Sequence, residues 1–192
     1  GNRKRPHADE AAVKDFSKNF MAEFKDHAAA NAYRTLGTPM LVKMTNTAGA
    51  FPNRYWTKGT PDNWENISAE TLVERMEPKP HGSGKCFMQC GKLGTVKEGR
   101  HTGLKIEGPE YETIYAFGGL CLIESIEEIA YLNDICDRLG MDTITAGNLC
   151  AFTIEAARRG KVDFKIDYGD VDAIAELLQL MARLEGIGEV LS

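Results

Sequence analysis

Residues 125–184 carry the pattern that most restricts how this chain can fold. Ser125 with Glu128 forms a capping box, and Ile126, Ile129, Leu132, Cys136 and Leu139 recur at three- and four-residue spacing until Gly140. Such a stripe buries only as one face of a helix. Asp142 or Thr143 then caps a second helix running through Phe152 to Arg158 and Arg159 and stopped by Gly160. A third helix starts at Asp170, with Ile174, Leu177, Leu178, Met181 and Leu184 as its buried side. Only residues 163–168 between them alternate like a short strand.

The first half repeats the theme less regularly. Val13, Phe16, Phe20 and Phe24 predict a helix from about residue 8, with an aromatic face that buries. Thr38-Pro39 predicts a helix start, Met40, Leu41 and Met44 its apolar side, and Gly49 its stop. Residues 51–66 read as a loop from their Pro, Gly and Asn content, and their aromatic residues imply that it packs on something. Ser68 caps a short helix bearing Leu72, Val73 and Met76 and ended by Pro78; residues 92–107 suggest a hairpin. Gly108-Pro109 opens a helix to about Phe117, which Gly118-Gly119 closes. The fold class is therefore all-α, with about seven helices and at most a small hairpin, in one domain over 1–192. Residues 1–7, with Arg3-Lys4-Arg5, are expected to form a flexible arm.

Charge and hydropathy exclude some functions. A formal net charge of −5 argues against nucleic-acid binding through phosphate neutralisation. No stretch approaches the roughly 20 apolar residues that cross a bilayer, and the start lacks the apolar core of a signal peptide. A cytoplasmic protein with no membrane partner is expected. Five cysteines, an odd number, argue against a disulfide framework; Cys121, Cys136 and Cys150 sit among apolar neighbours as small hydrophobes.

The residues with chemistry lie between 83 and 143. Cys86 and Cys90 fall in Ser83-Gly-Lys-Cys86-Phe-Met-Gln-Cys90-Gly, a loop whose thiolates are able to meet at one metal centre, although incidental thiols explain the pair equally well. Glu110 and Glu112 flank Tyr111 at a helix start, where acids are favourable for the dipole alone. Asp137-Arg-Leu-Gly140-Met141-Asp142 crosses a helix junction: capping accounts for it in full, yet the same geometry gathers amides suited to phosphate and carboxylates suited to the N–H groups of a heterocycle. A zinc site from Cys86, Cys90, His81 and His101 is a further possibility without a recognised finger spacing. Tyr55 and Trp56 also allow a helical interaction module with an aromatic docking loop.

Taken together, Cys86-x3-Cys90-Gly, Gly108-Pro-Glu-Tyr-Glu112 and Asp137-x2-Gly140-Met-Asp142-Thr resemble the tungsten- or molybdenum-dependent aldehyde ferredoxin oxidoreductases, from about Leu36 to the last helix. The resemblance implies that Cys86 and Cys90 are ligands of a 4Fe-4S cluster, with Ser83 at the place of a further cysteine. It implies that Asp137, Gly140, Met141 and Asp142 grip a bispterin cofactor, and that Glu112 is catalytic through proton transfer or substrate polarisation. The implied activity is oxidation of an aldehyde to a carboxylic acid, with electrons passing through the cluster to ferredoxin. The family's remaining cluster cysteine, its second pterin-gripping motif and a leading β-rich domain would lie outside this chain. The chain is therefore expected to be a helical fragment that is inactive and holds neither cofactor by itself.

Overall fold

A computed structural model describes residues 6–84 and 86–192. The expected arm falls mostly on residues 1–5, outside the described residues; Pro6 and His7 are exposed and irregular. The all-α reading holds, with the expected hairpin extended by one strand. In order come α1 (Glu10–Phe24), α2 (Ala28–Leu36), a 3-10 turn (Thr38–Met40), α3 (Leu41–Thr47), a 3-10 turn (Trp64–Ile67) and α4 (Ala69–Met76). Then follow β1 (Lys79–His81), β2 (Gly91–Thr95), β3 (Lys105–Glu107), α5 (Tyr111–Thr113), a π-helix (Ile114–Leu120), α6 (Ile126–Leu139), α7 (Thr143–Arg158), α8 (Val171–Arg183) and α9 (Ile187–Leu191).

The capping signals predict the helix starts well. Ser125, Asp142 and Asp170 each accept an amide three residues on, and Gly140 ends α6 in the left-handed region at φ 71°. Each such cap satisfies a donor left open by the helix and contributes about 1 kcal/mol. Ile126, Ile129, Leu132 and Cys136 of α6 pack with Cys150 and Ile154 of α7 and with Ile174, Leu177 and Leu178 of α8 into one core. Leu184, expected inside, is exposed because it adopts the left-handed conformation that terminates α8 and so leaves the stripe.

Gly118 and Gly119 do not stop a helix. They lie within the π-helix, and both are buried because the chain needs bare backbone there. A Cβ on Gly119 would stand 2.0 Å from the carbonyl oxygen of Pro52, and one on Gly118 2.8 Å from Ile67 Cδ1. The loop after Phe51 docks on this stretch, with the amides of Arg54 and Tyr55 donating to the carbonyls of Gly119 and Leu120 (3.0 and 3.2 Å). The expected packing of the aromatic loop is thus met by the π-helix, whose C-terminal carbonyls it engages.

Two further expectations fail. Residues 163–168 form no strand, because their backbone lacks a partner edge and only Ile166 is buried. The aromatic face of α1 does not bury: the helix has no buried residue, and Phe16 and Phe20 stay 69% and 40% exposed, stacked on one another at 5.8 Å between ring centroids. Periodicity reports that a face is apolar, not that this chain supplies its cover. The third strand, β1, escapes sequence inspection because Pro80 interrupts it; as an edge strand it tolerates the proline while pairing Lys79 with Leu93 and His81 with Gly91.

Candidate functional site

The thiol loop, the Glu110–Glu112 segment and the α6–α7 junction are far apart in the chain and adjacent in space. Their link begins at Lys92, which is 1% exposed. Its ammonium donates to the carbonyls of Tyr33 (3.1 Å), Arg34 (3.1 Å), Cys90 (2.9 Å) and Gly91 (3.3 Å). Burial lowers its pKa, and the nearby Glu110 and Cys90 oppose that shift. Gly37, at φ 69°, passes so close that an added Cβ would meet the Cys90 carbonyl oxygen at 2.7 Å.

Thr38 follows directly. Its hydroxyl donates to Glu110 Oε2 and accepts the Tyr111 amide at 2.9 Å. It was expected to cap its own helix; instead it caps the turn at Tyr111, so a residue 73 positions away holds the start of α5. Glu112 lies half-buried on that turn beside Tyr115. Burial first, and then the charge of Glu112, Tyr111 and Asp142, raises the pKa of the Tyr115 hydroxyl. Tyr111 and Tyr115 pack at 5.4 Å between centroids, and Trp56 adds a third ring 6.2 Å from Tyr115 while its indole N–H donates to Asn148 Oδ1 at 2.9 Å.

The junction joins from the other side. Thr113 and Thr143 share a hydrogen bond of 2.9 Å, and Asn133, buried beneath Gly108, donates to Asp137 Oδ2 at 2.9 Å. Asp137 is exposed overall. Even so, partial desolvation, followed by the like charge of Asp134 and with a smaller contribution from Glu107, holds its carboxyl above the usual range. Asp142 is held below that range by the amide of Thr145, which Oδ2 accepts at 2.7 Å. Met141 and Asp142 border a mainly apolar cleft of about 370 Å³ shared with Thr145, Leu149 and Met181.

At the start of α7, where amides suited to phosphate are expected, the Thr145 amide is taken by Asp142 Oδ2 at 2.7 Å. The amides of Gly140 and Met141 turn back to the carbonyls of Asp137 (3.3 Å) and Cys136 (2.9 Å), closing the α6 C-terminus. Beside them the side chains of Asp137 and Asp142 present carboxylate acceptors. Acceptors of that kind are what the N–H edge of a heterocycle such as a pterin requires. The thiol loop fits a cluster less well. Cys86 is exposed and Cys90 half-buried, while Cys121, Cys136 and Cys150 are sealed in the core, where burial raises their pKa values, that of Cys136 to about 12. Among the described residues no three His, Cys, Asp or Glu side chains group as metal ligands.

The same geometry gives the zinc reading no support, since among the described residues no group of three ligands includes His81 or His101. His101 stacks on Tyr131 at 4.0 Å and bonds Glu128 at 2.9 Å, and His81 faces Glu107 at 3.6 Å, so both imidazoles have carboxylate partners of their own. Sequence reasoning missed Lys92, Asn133 and Tyr115. Lys92 alone left a signal: with Gly94 and Val96 buried, the two-residue period of β2 puts position 92 inside as well.

Residues 15–192 match the family described as aldehyde ferredoxin oxidoreductase, domains 2 and 3. The aliphatic sulfonate oxidoreductase, WOR-like subunit, of Pyrococcus furiosus is 33% identical over 147 residues, covering 73% of this chain and 23% of the relative. The tungsten-containing aldehyde ferredoxin oxidoreductases of Pyrococcus furiosus and Pyrococcus abyssi are 25% and 26% identical over 174 and 177 residues. Those two matches cover 87% and 88% of this chain and 28% of each relative. The chain thus spans about a quarter of the length of the curated relatives it matches. Among the described residues no helix is long and apolar enough to cross a membrane.

Proposed function

This chain belongs to the aldehyde ferredoxin oxidoreductase family, and we propose that it forms the helical body of an enzyme that oxidises aldehydes to carboxylic acids. In that reaction the carbonyl carbon gains an oxygen from water while two protons and two electrons leave, the electrons passing one at a time to ferredoxin. A tungsten- or molybdenum-bispterin supplies the two-electron redox chemistry when bound. Asp137 and Asp142 would accept its N–H groups, and Gly140 and Met141 shape the turn that aims them. Glu112 would take up or return the proton at its carboxylate, with Tyr111 and Tyr115 excluding water beside it. Cys86 and Cys90 would contribute two of the ligands of a 4Fe-4S cluster completed by other parts of a longer enzyme, and neither cofactor is expected on this chain alone.

The observation that carries the reading is the convergence of the three segments: Lys92 joins the thiol loop to α2, Thr38 joins α2 to Glu110 and Tyr111, and Thr113 with Asn133 joins that turn to the α6–α7 junction. The match to a relative named for aliphatic sulfonates favours a second substrate class for the same site.

The test is anaerobic expression from tungstate medium together with the complementary domains of a relative. Aldehyde-dependent viologen reduction is expected, reduced about 100-fold or more in kcat by Glu112→Gln. Turnover of an alkanesulfonate and of no aldehyde would move the assignment to the second class. Unchanged turnover in Glu112→Gln would remove that residue from the mechanism.

A further inference from the structure

The geometry points to Lys92 as the positioning residue of the thiol loop, acting as a built-in cation that binds the loop to the C-terminus of α2. Its three N–H bonds are shared among four carbonyls, those of Tyr33 and Arg34 in the last turn of α2, that of Cys90 in the loop and that of Gly91 at the start of β2. The last carbonyls of a helix carry its negative end, so an ammonium there is favourable on both counts. Among the described residues the loop has few other attachments. Phe87 touches α1 through Phe20 at 5.7 Å between rings, and Arg34 reaches the carbonyls of Phe87 and Lys25, both at 3.2 Å. Gly37 completes the fit, because the Cys90 carbonyl occupies the space of a side chain there.

Since Thr38 is the residue after Gly37 and holds Glu110 and Tyr111, the ammonium also sets the spacing between Cys90 and the turn bearing Glu112. That last purpose rests on the reading proposed above; the positioning itself does not.

The experiment uses this chain without cofactor, so failure of the aldehyde assignment leaves it intact. Hydrogen exchange is followed by mass spectrometry in the wild type, Lys92→Ala and Lys92→Met. Both variants should exchange about tenfold faster over residues 33–36 and 86–92, while α6 and α8 keep wild-type protection. Propylammonium should restore protection in Lys92→Ala, where the removed side chain leaves room, and tetramethylammonium at equal ionic strength should not. Lys92→Met, which retains the methylene packing, should show the loss without rescue. Unchanged exchange in both variants would overturn the proposal. So would equal restoration by tetramethylammonium, or loss of protection throughout the core in both variants, since either makes Lys92 a general packing element.

Discussion

Two helices with apolar stripes, α1 and α6, stand at opposite limits of burial. On α6 the stripe meets α7, α8 and the π-helix, and Ile126, Ile129, Leu132 and Cys136 are fully enclosed. On α1 nothing is buried, and the rings of Phe16, Phe20 and Phe24 pack mainly on one another and on Phe87. The contrast shows that this molecule is stabilised from its second half. The thiol loop and α1 are instead attached by a few polar clamps and ring contacts, which places them at the low-stability end of the structure.

Substitutions of one residue type in the two regions test this most directly. Phe117→Ala, in the buried π-helix, should cost about 3–5 kcal/mol in urea unfolding, since it removes enclosed apolar surface and leaves a cavity. A cost below about 1 kcal/mol would mean that the core is less closely packed than the contrast requires. Asp142→Ala should cost about 1 kcal/mol at pH 7 by leaving the Thr145 amide without its cap. Its carboxyl is depressed in the folded state, so this contribution is present above the unfolded value of about 3.9 and fades as pH falls through the lower folded value. The variant and the wild type should therefore converge in acid, and a penalty independent of pH would contradict the role of the carboxylate.

Phe16→Ala should change stability by less than about 0.5 kcal/mol, because the ring is already in water. A penalty near that of Phe117→Ala would show that α1 is covered in solution and would break the comparison. Asp137→Asn gives the smallest effect, within about 0.5 kcal/mol. The carboxyl of Asp137 is raised in the folded state, so wild-type stability declines as pH rises from about 3.9 through the folded value. The amide should flatten that decline, as read from unfolding curves at pH 3 and pH 7.

Much of the scaffold was legible in the residues because caps and stripes are local: Ser125, Asp142 and Asp170 announce helices whose starts depend on a hydroxyl or carboxylate three residues from an amide. The site was legible as three segments and not as a place. Thr38 read as the cap of its own helix, since nothing nearby in sequence reveals Glu110 and Tyr111. Gly118-Gly119 read as a stop because the close approach of Pro52, which demands bare backbone, comes from more than sixty residues away.

By itself, then, the sequence determined the helical class and most helix boundaries, both of which follow from side-chain spacing and capping within a few residues. Tertiary structure alone decided which apolar faces are covered, where a lysine is enclosed by carbonyls and which hydroxyl holds the start of α5. Those outcomes depend on partners distant in the chain, and local periodicity carries no record of them.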